Sequence, residues 1–516
     1  VKLTALAGAV LGVVGTAQAA VEVGSSSITI KSNNPAADHA TQGINNVNIG
    51  TGANTYRNDG NNVVSHDAIA IGTNATGTGD KAVAIGKGAN ATKENGIAIG
   101  FDATNQSIDS VAIGREATSS KDMDVAIGKQ AKATGGESLA FGSQSKASCQ
   151  ATIAVGKESN ASGSSAVAAG YQSAAAGDNA VAVGKNTTAS NTNAIAIGLR
   201  ATATGTRAIA TGAGSSATGE QSLATGFTAQ ATGNNSIAHG NNATSQKQSD
   251  IAIGTNAAAN GTDTPAGSSN AQNAGTAISI GANSVATGVA TTSLGQAAKA
   301  TQNGAVAIGS LANATNKAAA ALGRDSLASG ESSTALGSGA KAQGQYSFAG
   351  SVNANASGTQ SIAVGRNATA HSENSISQGS DSNAYKESDI AIGTNAVANG
   401  SEGVCNKDGK GSSSLPPGSS ASNCEGSAVA LGKNANATGT YAVAVGVSAS
   451  AAKKNTTALG SGASVVTENA VALGSGSVVA EDEKYVPTNN ATVGSYTYEG
   501  FAGSDSLLGK GAVVSV

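Results

Sequence analysis

A five-residue string of alternating small and aliphatic residues, closed by Gly, recurs at a constant spacing along most of the chain. It ends at Gly72, Gly86, Gly100 and so on, without a slip, to Gly254. After a gap of nearly two repeats it resumes at Gly281 and keeps phase to Gly337. Ser351 takes the next marker position, and Gly365, Gly379 and Gly393 follow. A second and longer gap leads to Gly432, Gly446, Gly460 and Gly474. A period this short constrains the fold more than any other feature, because so few residues cannot hold the helix-containing units of the common repeat proteins.

Each unit has an internal grammar. In Ala194-Ile195-Ala196-Ile197-Gly198 the residues alternate and favour a strand. Small residues follow three and five places after the marker, at Ala201 and Ala203. Gly205, seven places after it, reads as a turn residue that tolerates positive φ. The unit is therefore strand, turn, strand, turn, one coil of a parallel β-solenoid with coils stacked about 4.8 Å apart.

The two strands differ. The second alternates small, polar, small, as in Ala201-Thr202-Ala203, with one face inward and one toward water. The first is apolar on both faces, Ile195 and Ile197 on one and Ala194 and Ala196 on the other. A thin coil covers only one of these, so the other forms a long apolar stripe that calls for packing against further copies of the chain. The pattern does not say which face is inside.

Composition agrees. Gly accounts for 70 of 516 residues, while aromatics are 3% and charged residues 12%. That is too little bulk for several ordinary cores, and the repeat explains why: every coil needs Gly at its marker and has room only for Ala inside. Five Pro exclude collagen. No apolar run reaches the length of a membrane-spanning helix. A formal charge of −3 gives no electrostatic footprint for nucleic acid.

Units such as Ser110-Val111-Ala112-Ile113-Gly114 and Asn193-Ala194-Ile195-Ala196-Ile197-Gly198 resemble the head of trimeric autotransporter adhesins, the YadA-like family. The resemblance covers about residues 45–476. It implies an all-β, left-handed parallel β-roll, three chains per head, and display on the outer surface of a Gram-negative bacterium. It further implies binding to host cells or matrix proteins such as collagen, fibronectin or laminin, with membrane attachment only through a C-terminal anchor that these residues do not contain. Autoagglutination and a passive spacer role are the alternatives.

Outside the repeat, Lys2, the apolar run Leu3–Val14 and Ala17-Gln18-Ala19 have the grammar of the end of a secretory signal, expected over 1–19. Residues 20–66 form an N-terminal segment with a strand-like run at Ser27–Ile30 and a possible first coil ending at Gly50. The repeat head spans 67–476. Residues 477–516, with Tyr496, Tyr498 and Phe501, are expected to cap it ahead of a neck.

The phase gaps mark insertions at about 257–276 and 398–426. Each follows a near-identical string, Ser249-Asp250-Ile251-Ala252-Ile253-Gly254 and Ser388-Asp389-Ile390-Ala391-Ile392-Gly393. Insertions in solenoids emerge as surface loops and are candidate contact sites. Cys405 and Cys424 in the second are expected to form a disulfide, as befits an exported protein. Cys149, in the slot seven after Gly142, reads as a free thiol.

Little points to catalysis. His39, His66, His239 and His371 are isolated, and His239, inside a strand, reads as a packed side chain. Asp109, Asp124, Asp250 and Asp389 read as polar residues at strand entries. No paired carboxylates, nucleophile–base set, phosphate loop or metal cluster is expected, and no cofactor. The candidate contacts are instead outward residues of the second strands, Asn90 and Thr202, and charged residues of the insertions, Asp263, Lys407 and Lys410. Many such weak contacts along repeated coils would act by avidity.

Overall fold

The computed structural model describes residues 20–23, 28–31, 45–55, 65–261, 276–400, 427–480, 490–493, 496–499 and 514–515. All regular structure among them is β-strand. The chain divides into two compact units, Val1–Gln246 and Lys247–Val516.

In the first unit each turn carries a three-residue first strand and a two-residue second strand. Ile195–Ile197 pairs in parallel with Ile209–Thr211 one repeat later, Ala196 opposite Ala210. Thr202–Ala203 pairs likewise with Ser216–Ala217. A shift of one full repeat keeps like opposite like, so each column along the stack has one chemical character. The N-terminal edge is extended by Val47–Ile49, which pairs with Ile69–Ile71, and by Ile28–Lys31, which pairs with Val47–Ile49. The turn ending at Gly50 therefore belongs to the stack. Ala20–Val23 adds an antiparallel strand beyond Ile28–Lys31.

The second unit repeats the scheme and keeps register across both insertions. Ile251–Ile253 pairs with Ile278–Ile280, and Ile390–Ile392 with Val429–Leu431. Val514–Ser515 pairs in parallel with Val471–Ala472, and Asn490–Val493 forms an antiparallel pair with Tyr496–Glu499.

The core consists of small residues, mostly Ala with Ser and Thr at some of the same slots. Ala194, Ala196, Ala201 and Ala203 are all fully buried, and the equivalent positions repeat this from turn to turn. The Ile face of the first strand points outward: Ile195 is half-buried and Ile197 is 41% exposed. This settles what the alternation left open. The two strands of a coil lie so close that small side chains fill most of the space between them. One larger core residue is accommodated by local relief. Asn105 is buried, and a Cβ on Gly96 would lie 2.3 Å from its Oδ1.

The turns depart from expectation in one respect. Gly205 does not have a positive φ. It is Gly because a Cβ there would lie 1.9 Å from the carbonyl oxygen of Gly219 in the next turn. The left-handed residues are Arg200 and Arg207, at φ 56° and 57°. Their conformation turns the backbone N–H along the stack, where Arg200 donates to Lys185 O at 2.9 Å and Arg207 to Thr192 O at 2.9 Å. Hydrogen bonding thus continues through the turns and offsets their strain. The marker Gly198 has φ 128°, and a Cβ on it would lie 2.6 Å from Gly212 O.

Candidate functional site

Asn90 and Thr202 both stand four places after a marker, on the outward side of second strands, and both are half-buried. Eight repeats separate them, roughly 38 Å along a stack at 4.8 Å per turn. They are members of one column and do not meet. Asp263, Lys407, Lys410, Cys405 and Cys424 lie outside the described residues, as does the expected signal segment.

The roots of both insertions are built alike. Asp250 is fully buried, four places before its marker. Its Oδ2 accepts from Lys247 N at 2.9 Å and Gly261 N at 3.1 Å, and its Oδ1 from Ala277 N at 2.9 Å. Asp389 does the same with Lys386 N at 2.9 Å, Gly400 N at 3.2 Å and Ala428 N at 2.8 Å. Gly261 and Ala277 flank the first insertion, and Gly400 and Ala428 the second. One carboxylate therefore ties the departing and returning ends of each loop to the coil. Burial pushes the Asp389 carboxyl above its ordinary range, against the pull of those backbone amides. Asp124 occupies the same slot without an insertion and accepts from Lys121 N at 2.9 Å and Gly136 N at 2.9 Å. These three aspartates at strand entries are thus buried anchors, and of the four only Asp109, one place earlier in its repeat, is exposed.

The first unit also carries a feature missed in the sequence. Thr118, Lys132, Lys146 and Asn160 are successive members of one second-strand column. Beside them run the turn residues Asp102, Glu116, Gln130, Gln144 and Glu158, and between the two rows lies an open groove of about 670 Å³. The amides form a ladder along it. Gln130 Nε2 donates to Glu116 Oε2 at 2.6 Å, and Gln144 Nε2 donates to Gln130 Oε1 at 3.2 Å. The Gln130 amide and then Arg115, whose Nε donates to Glu116 at 2.8 Å, hold the Glu116 carboxyl below its usual range. Gln172 and then Lys157 do the same for Glu158.

One place nearer the marker stand Lys87, Phe101, Arg115 and Lys129, and farther along Lys157, Tyr171 and Lys185. Lys87 and Arg115 each lie 5.7 Å from the centre of the Phe101 ring. Lys157 and Lys185 lie 5.5 and 5.7 Å from that of Tyr171. The signal for this array is present in the sequence, as Lys and Arg in equivalent slots of neighbouring repeats, but it shows only when the repeats are aligned by slot.

His239 is exposed on the outward face of its strand, in line with Thr225, and is not packed within the chain. His371 stacks on Tyr385, ring centres 5.0 Å apart and 9° from parallel. Cys149 is half-buried with a free thiol. Among the described residues no group of three or more His, Cys, Asp or Glu is placed to hold a metal ion.

Comparison with protein families matches the YadA head domain repeat (2 copies) in overlapping windows from 65–87 to 451–477, which together span more than half of the chain. The chain belongs to the YadA head family. The widest breaks between windows, 264 to 286 and 404 to 426, overlap the two phase gaps in part. No curated protein matches the chain. YadA-like heads are parts of surface-exposed trimeric autotransporter adhesins of Gram-negative bacteria, and a β-solenoid of short two-strand turns is the form taken by this one.

Proposed function

We propose that this YadA-like head is a homotrimeric adhesin that holds host cells or matrix proteins by many weak contacts repeated along its stacked turns. The observation that carries the reading is the outward apolar face of the first strands. From Ile71 to Ile197 it runs for nine repeat steps, roughly 43 Å at 4.8 Å per turn. Its members include Ile153, 38% exposed, and Phe141, 50% exposed. A stripe of that length is more apolar surface than a lone chain normally leaves in water. Burying it against two further copies leaves the second strands on the outside in triplicate, where avidity multiplies modest affinities. The family match supports the same assignment.

The insertions, the Cys405–Cys424 bridge and export by the 1–19 segment complete the proposal. The test is to excise 262–275 and 401–426 separately, keeping Asp250 and Asp389 with their partners, and to measure binding to collagens, fibronectin, laminin and cultured cells. Loss of binding on excision assigns adhesion to the loops. Binding that survives both excisions assigns it to the turns. An intact trimer that binds none of these surfaces overturns the adhesin reading in favour of a spacer.

A further inference from the structure

We propose that the groove over Thr118–Asn160, with the cation column beside it, binds a sulfated acidic polysaccharide. This deepens the adhesin reading and rests on it. The chain as a whole is weakly acidic, yet cations are in excess along one edge of the first unit and carboxylates along the other. One edge carries Lys87, Arg115, Lys129, Lys132, Lys146 and Lys157, all exposed, against Asp102, Glu116 and Glu158. The opposite edge carries Asp80, Glu94, Asp109, Asp122 and Glu137 in successive turns, against Lys81, Lys93 and Lys121. A polyanion is drawn to the first edge and repelled from the second.

The groove is also shaped for a linear polymer. It is open, runs along the stack and presents the same slots at each step of about 4.8 Å. Lys132 and Lys146 stand on adjacent turns of its floor. Neither is in an ion pair among the described residues, whereas Lys129 beside them also acts on the Glu116 carboxylate. The Gln130–Gln144 ladder adds amide donors and acceptors that suit hydroxyl groups between the charges. The row lies on the outward side of the second strand, away from the apolar face of the first, so trimer packing on that face leaves it open.

The aromatics argue against nucleic acid as the occupant. Phe101 has a cation from the turn before and another from the turn after, and Tyr171 is placed in the same way. Rings held between cations are not free to stack on bases, which is how single strands are gripped. Here they fix the positions of the cations instead.

The experiment uses the full chain and immobilised heparin, with competition by hyaluronan, inorganic sulfate and single-stranded DNA. Expected results are salt-reversible retention on heparin and at least tenfold weaker binding for Lys129→Glu/Lys132→Glu/Lys146→Glu. Lys93→Glu/Lys121→Glu/Arg207→Glu makes the same charge change off the groove edge and should stay within twofold of wild type. The neutral pair Lys132→Gln/Lys146→Gln should weaken binding by several fold, with the β signal in circular dichroism unchanged. Heparin binding equal to wild type in the groove variants would sink the proposal. So would an equal loss in the opposite-edge control, or DNA or free sulfate competing as well as heparin. Matrix-protein and cell binding are read on the same samples. If those persist while heparin binding is absent, only the polysaccharide proposal fails. If heparin binding persists while adhesion is absent, only the adhesin reading fails.

Discussion

Ser351 offers a sharp test of how the turns are built. It occupies a marker slot with φ 117°, a conformation that side-chain-bearing residues rarely adopt, whereas Gly337 and Gly365 hold the equivalent slots at φ 134°. The compensation is local. Gly350 stands where other turns place an outward aliphatic, and a Cβ there would lie 2.8 Å from Phe348 Cε1, so the ring covers the vacated space. Ser351→Gly should therefore relieve strain. A residue held in such a region costs about 1–3 kcal/mol, and added glycine freedom in the unfolded chain returns about 0.5–1 kcal/mol. At the midpoints of both ranges the expected net gain is about 1.25 kcal/mol, or roughly eightfold in local opening, since 1.4 kcal/mol is tenfold. Stacked repeats need not unfold all at once, so a single melting temperature would blur this. Native-state amide exchange is the better assay, read at Ser351 N, which donates to Leu336 O at 2.7 Å, and Gly365 N, which donates to Gly350 O at 2.9 Å. Slower exchange at both is expected. Unchanged or faster exchange would refute the strain argument. The reciprocal change Gly337→Ser should speed exchange, because its Cβ would lie 2.5 Å from Ser351 O with no vacated neighbour.

Ile197→Asp adds a charge to the outward face without touching the Ala core, so sedimentation should show loss of the proposed trimer with the β signal retained. Asp389→Ala strands three backbone donors at the root of the second insertion; about 1–3 kcal/mol of local stability should be lost, seen as faster proteolysis near Gly400 and Ala428. Because burial raises the Asp389 carboxyl, its contribution is complete below the ordinary carboxyl range and declines as pH rises through the raised value. Protection of the Ala428 amide, corrected for intrinsic exchange, should follow that course and lose it in Asp389→Asn. His371 is held below its ordinary value by burial first and then by Lys386. The stability it lends is present above the ordinary imidazole value and lost as pH falls through the lowered one, so NMR of Tyr385 should report weakening of the stack on acidification, and His371→Phe should abolish that response.

The sequence by itself determined the period, the strand pairing by one repeat and the places where the stack is interrupted, because all three follow from the spacing of small residues along the chain. It located the two-faced strand of Ala194–Ile197 and hence the need for a partner. It could not choose the inner face, since alternation is symmetric, and only the narrow separation of the two strands, which admits Ala196 and rejects Ile197, decided that. The roles of glycine were legible as a need and misread as a reason at Gly205, where backbone from the next turn, distant in any local view, leaves no room for a Cβ. Asp250 and Asp389 were legible as polar residues at strand entries but not as anchors, because their partners Ala277 and Ala428 lie across insertions. The cation column was present in the sequence only as a slot pattern: Lys132 and Lys146 are a full repeat apart in the chain and become neighbours when coiling brings equivalent slots together.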